Sequence, residues 1–192
     1  MKKFFAVVAL ALMTLTVSAQ EDSKFTVKAG VGLSSVVGSD ADTKITFSYK
    51  VGLSYDLGLS ENFSIIPGIE FATKGFKSDV IDGSISMSYL QVPIFAAYKF
   101  PISDNMKLAV KAGPYVAYGL FGSDIEWKGG GKTNIFDSNG GYKRFDAGAI
   151  AGISLDFEQY MVGFEYSRGF TKLDSNYSQF NQAFGLVFGY KF

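Results

Sequence analysis

Residues 45–57 alternate without a break between two kinds of side chain. Ile45, Phe47, Tyr49, Val51, Leu53, Tyr55 and Leu57 share one parity, and Thr46, Ser48, Lys50, Gly52, Ser54 and Asp56 the other. Period two is the repeat of a β-strand with one apolar and one polar face. The run is also longer than the ~5–6 residues of an ordinary globular strand. Residues 25–33 repeat the pattern, with Phe25, Val27, Ala29, Val31 and Leu33 set against Thr26, Lys28, Gly30 and Gly32. So do residues 106–119, 144–157 and 183–192, and three less regular segments, 63–74, 88–100 and 160–170, bring the expected count to about eight strands. Each is close to the roughly 9–11 residues that cross a bilayer when tilted.

The connections alternate in length. Short turns fall at residues 58–62, 101–105 and 158–159, and longer polar links at 34–44, 75–85, 121–142 and 171–181. Short turns on the periplasmic side and long loops outside are the habit of outer-membrane barrels. The predicted fold is therefore all-β: a transmembrane antiparallel up-and-down barrel of about eight strands, with its N-terminus on the periplasmic side.

A soluble lipocalin-like barrel would also alternate, with its apolar face inward, so volume has to decide the orientation. An eight-stranded barrel encloses only enough space for side chains or one small ligand. The apolar parity carries Phe, Tyr, Ile or Leu on almost every strand, too much to fit inside, whereas the other parity is mostly Gly, Ser and Ala with isolated charges. A basic residue facing lipid at mid-depth costs about 2–4 kcal/mol. Lys50, Lys111, Arg144, Asp146 and Glu165 near strand middles should accordingly point inward. Glu70, Asp146 and Glu165 are expected to neutralise Lys50, Lys111 and Arg144 and to plug the lumen with ion pairs. Tyr49, Tyr55, Tyr98, Tyr118, Tyr160, Tyr166 and Tyr190 lie on or near the apolar face, where aromatic girdles form. Pro67, Pro93 and Pro114 cannot donate to a ladder, so a bulge or local break is expected at each.

Residues 1–19 read as a cleaved secretory signal: Lys2 and Lys3, an apolar stretch over residues 4–15, and Val17-Ser18-Ala19 before Gln20. The barrel domain is expected over residues 20–192. Without the two lysines the chain has a slight acidic excess, which leaves no basic footprint for nucleic acid. The sequence has no Cys, and therefore no disulfide or thiol chemistry. It also has no His, which removes His-based triads, histidine metal sites and the usual general base. Gly129-Gly130-Gly131-Lys132-Thr133 ends like a phosphate-binding loop, but Glu126 stands where that motif requires Gly. Asp137-Ser138-Asn139-Gly140 and Asp40-Ala41-Asp42 lack the spaced ligands of a calcium loop. No enzyme activity, cofactor or metal is expected.

Four segments carry a resemblance: Tyr89-Leu90-Gln91-Val92-Pro93-Ile94 leading to Tyr98-Lys99-Phe100, Ala112-Gly113-Pro114-Tyr115, Arg144-Phe145-Asp146 leading to Gly152-Ile153, and Phe188-Gly189-Tyr190-Lys191-Phe192. With them the chain resembles the PorT-like outer-membrane β-barrel family, often called porin family proteins, and more distantly the OmpX and OmpA barrels. The resemblance implies an outer-membrane location. It also implies that Phe188, Tyr190 and Phe192 supply the aromatic signal read by the barrel assembly machinery. The leading functional expectation is a non-enzymatic barrel in the lipid bilayer. Its outward loops, above all residues 121–142 with Trp127 and Phe136, would meet an envelope or extracellular partner of unknown identity. A narrow solute or ion channel and a secreted soluble ligand-binding barrel are the alternatives.

Overall fold

The computed structural model describes residues 24–38, 43–77, 84–126, 132–136, 141–173 and 178–192. The expected signal segment, residues 1–19, and Trp127 lie outside them. Among the described residues the strands are β1 (Lys24–Gly38), β2 (Thr46–Gly58), β3 (Phe63–Lys77), β4 (Ser84–Ser103), β5 (Met106–Gly122), β6 (Asp124–Glu126), β7 (Lys132–Asn134), β8 (Phe145–Phe157), β9 (Tyr160–Gly169) and β10 (Gln179–Lys191). Eight of them close into a barrel in the order β1-β10-β9-β8-β5-β4-β3-β2, every pair antiparallel, while β6 and β7 form a separate two-stranded ribbon in the β5–β8 connection. No helix among the described residues is long and apolar enough to cross a membrane.

The seam is as regular as the rest of the wall. β1 pairs with β10 from Thr26↔Lys191 to Gly38↔Gln179 without a register shift, and Phe25 and Phe192 exchange backbone hydrogen bonds of 3.1 and 2.9 Å beyond it. Closure matters because in hydrocarbon no water is present to satisfy an open strand edge. At the short-turn end, Glu158 opens the β8–β9 turn at φ 47°, and its backbone N–H donates to Asn105 of the neighbouring turn at 3.1 Å.

Pro67, Pro93 and Pro114 break pairing but do not shift it. The ladder lapses between Ser54↔Gly68 and Leu57↔Ile65, between Pro67↔Ile94 and Glu70↔Gln91, and between Pro93↔Tyr115 and Ala96↔Ala112, and resumes each time in the same register. Register shifts occur elsewhere, at Ser88/Tyr89 and at Pro101/Ser103. A missing N–H removes one bond of a ladder that its neighbours still hold in place, whereas a bulge needs an extra residue.

The faces sort as the period requires. Phe47, Leu53 and Leu186 are 64%, 48% and 51% exposed on the outside, whereas Thr26, Lys28, Ser48, Ser54, Asp56, Glu70, Lys111, Asp146 and Glu165 are buried within. A soluble barrel cannot leave such a belt in water; hydrocarbon is its solvent. Near the short-turn end Phe25, Tyr55, Phe192, Tyr190 and Tyr160 touch in a chain of ring pairs 4.6–6.4 Å apart, and Tyr98 meets Phe100 at 4.7 Å. This is one of the two aromatic girdles of a membrane barrel.

One part of the interior departs from the expectation of a polar lumen. Towards the long loops the inner face becomes apolar, and Val36, Phe76, Ile85, Met87, Tyr89 and Tyr115 pack with Ile135, Phe136 and Leu173 from the connections. The cause is strand length: β3 and β4 extend through much of the stretch expected as the loop at 75–85, so their inward parity there needs a core of its own.

Candidate functional site

The lumen is filled in layers. At its centre Glu165 of β9 accepts from Lys111 of β5 at 2.7 Å, lies 3.6 Å from Lys28 of β1, and pairs closely with Lys50 of β2. Lys28 also pairs with Glu70 of β3, whose second oxygen accepts from Gln91 Nε2 at 3.2 Å. The Phe95 ring lies between two of these cations, 5.1 Å from the Lys28 ammonium and 5.0 Å from that of Lys111. A side chain this long needs space beside it, and the cross-strand neighbours provide it. Glu165 faces Gly152 and Gly185, Glu70 faces Gly52, Lys50 faces Gly30, and Lys28 faces Gly52 and Gly189. A Cβ at Gly152 or Gly52 would come within 2.9 or 2.8 Å of the Cγ of Glu165 or Glu70.

A second layer lies nearer the long loops. Asp146 is fully buried and accepts from Lys74 Nζ at 3.1 Å, Tyr115 Oη at 3.1 Å, Asn181 Nδ2 at 3.0 Å and Thr171 Oγ1 at 2.9 Å. Lys74 rests over the Tyr115 ring at 4.2 Å. Three strands and the link after β9 thus converge on one carboxylate of β8. Towards the short turns, Lys99–Asp56 and Lys191–Asp156, each at 2.5 Å, line the floor of a vestibule of about 250 Å³.

Of the six residues expected to pair, Lys50, Lys111, Glu70 and Glu165 come together, and Asp146 is paired in the next layer. Arg144 is not among them, which corrects the expectation. It precedes β8, and its guanidinium donates to the carbonyls of Gly119 and Leu120 at 3.1 and 3.3 Å and lies 5.0 Å from the Phe136 ring. Lys28 and Lys74 take the cationic places that the sequence reading had not assigned. Lys28 was legible, being on the polar parity of residues 25–33; Lys74 stands at the end of a segment whose alternation is irregular.

Phe136, expected on an outward loop, also requires correction. It is 7% exposed and buried in the outer mouth, edge-on to Tyr89 at 6.1 Å. The reason is local: Gly119 and Gly122 have no side chains, and a Cβ at either would lie 2.5 or 2.9 Å from Phe136 ring carbons. A loop aromatic finds its apolar seat inside the barrel. Gly119→Val should therefore expel the ring, and limited proteolysis of the folded protein should then cut the β5–β8 connection faster than in the parent while the barrel stays heat-modifiable. Phe188, Tyr190 and Phe192 all face outward, consistent with the parity read from the sequence.

Comparison with known proteins agrees with this architecture. No curated protein matches the sequence. Among solved structures, the outer membrane enzyme PagL superposes with a TM-score of 0.55 at 15% identity, over 86% of this chain and 98% of that one. Neisserial surface protein A gives 0.55 at 11% identity, over 88% and 97%. The attachment invasion locus protein Ail of Yersinia pestis gives 0.46 at 16% identity, over 88% and 99%. For PagL and Neisserial surface protein A, at such identities, the likeness is one of fold alone. The family model described as outer membrane protein beta-barrel domain matches residues 18–175. A closed wall with an apolar outside and an ionic inside, matched over most of its length by that model, makes this chain a member of the outer-membrane-protein β-barrel family, located in the cell outer membrane.

Proposed function

We propose that this protein is a closed-lumen, non-enzymatic barrel that acts through its outer loops and its wall, by contact with an envelope or extracellular partner, and not by conducting solutes. The observation that carries the reading is the central layer: Lys28, Glu70 and Glu165 are each no more than 3% exposed and reach one another from β1, β3 and β9. Above them the apolar mouth formed with Ile135, Phe136 and Leu173 adds a second barrier, which repels water where the first holds fixed charge. A hydrated ion would have to displace both. The absence of His and the engagement of the lumen acids with lysines support a reading without catalysis.

In this reading residues 1–19 direct export and are removed, and the barrel assembly machinery reads the outward aromatic row of β10 at Phe188, Tyr190 and Phe192 during insertion. The test of the closed lumen is electrical. Purified protein reconstituted in planar bilayers should show no steady single-channel conductance across a physiological voltage range. Steady conductance from heat-modifiable, folded protein would overturn it and make the channel the better reading.

A further inference from the structure

The buried charges of the two inner layers do not balance. Lys28, Lys50, Lys74 and Lys111 face Glu70, Asp146 and Glu165, so the described residues there carry one cation in excess. The pairs near the short turns, Lys99–Asp56 and Lys191–Asp156, balance by themselves and offer no spare carboxylate. A net charge inside a cylinder surrounded by hydrocarbon is costly, because neither water nor mobile counterions reach it readily. Between the layers the wall is thin in side chains at Gly30, Gly32 and Gly185, and a half-open recess of about 30 Å³ remains there, bordered on the wall side by Val31, Tyr49, Phe184 and Leu186. Lys50, Lys74, Ser48, Thr73 and Ser167 line it together with Glu165 and Gln91, so two ammonium-bearing side chains border the same space.

We propose that this recess holds one small monovalent anion, chloride under ordinary conditions, placed between Lys50 and Lys74. Size and charge both suit it. One water needs roughly 10–15 Å³ of such space, so the recess accommodates a halide. Water alone would fill the space without cancelling the charge. The Ser48 hydroxyl is a donor that suits a halide, whereas Thr73 already donates to the Tyr49 carbonyl at 3.1 Å and Ser167 to the Ala183 carbonyl at 3.4 Å. The Gln91 Oε1 has no hydrogen-bond partner and repels an anion, which places the ion on the lysine side of the recess. Occupancy does not require the lumen to conduct, so this site stands or falls separately from the closed-lumen reading.

The test uses bromide as the probe on the full-length protein folded in detergent. Crystals grown in bromide should show an anomalous scattering peak in the recess. In solution the unfolding midpoint should rise with the logarithm of bromide or chloride concentration, at ionic strength held constant with gluconate. Lys50→Met removes the excess charge and should abolish both the peak and the halide dependence. Water without anomalous signal in the recess at high bromide would overturn the proposal, as would an equal halide response in Lys50→Met. Should that variant fail to assemble, the scattering measurement on the parent decides alone.

Discussion

Glu165→Gln should be the most damaging single substitution in the lumen, lowering the stability of the folded barrel by about 3–5 kcal/mol, the usual result of removing one partner from a buried ion pair. Glu165 is the shared acceptor for Lys111, Lys28 and Lys50, and without its charge Glu70 alone faces three ammonium groups. Lys28 and Lys111 are almost wholly enclosed by the closed wall and have no ready path to water, whereas Lys50 keeps a partial one. Against a total of about 5–15 kcal/mol for a typical domain, the loss is a large fraction. The measurement is the urea midpoint of refolded protein in detergent, read by the heat-modifiable band. A second variant separates charge from shape. Adding Lys50→Met to Glu165→Gln removes one of the stranded cations, so the double variant should recover part of the loss, a coupling that independent sites do not show. A midpoint for Glu165→Gln within error of the parent would mean that water reaches the cluster and screens it.

The second large effect belongs to the outside. Val51 lies on the exposed parity of β2, between Ala29 of β1 and Phe71 of β3, where the surface is entirely apolar. Val51→Lys should cost about 2–4 kcal/mol by placing an ammonium in hydrocarbon. In cells the expected readout is a fall in folded protein recovered from the outer-membrane fraction. Val51→Leu at the same position keeps the apolar surface and should assemble as the parent does. Equal recovery of the two would show that β2 does not meet lipid at this depth.

How much of this was legible in advance follows from the physics of a two-residue period. An unbroken alternation such as that of residues 45–57 determines which side chains share a face, and the bulk of the apolar face determines which way it points. The number of strands, the antiparallel up-and-down order and the inward direction of Lys50, Glu70, Lys111, Asp146 and Glu165 all rest on that. Irregular segments concealed the rest. Lys74 follows a stretch with Pro67 and the small or polar pair Ala72-Thr73, and the parity there is hard to follow without the partner strands. Arg144 stands just before the start of β8, where the strand does not dictate direction, so parity does not place it.

Glycine placement belongs to the same lesson. Gly30, Gly52, Gly152 and Gly185 look like ordinary turn or strand glycines along the chain, and only register reveals that each stands opposite a buried charged side chain. Phe136 is the converse case. A loop aromatic between Ile135 and Asp137 gives no local sign that its seat is a gap above Gly119 and Gly122 on another strand.

The amino-acid order by itself determined a strand-built wall with a greasy outside and an ionic inside, because alternation and side-chain volume are local properties that no later packing can reverse. Tertiary structure alone decided which acid meets which lysine, that one carboxylate serves three of them, that the described cations outnumber their partners, and that apolar side chains pack together in the mouth nearer the long loops. Those outcomes depend on strand register and on loops folding back over the barrel, and both join residues far apart in the chain.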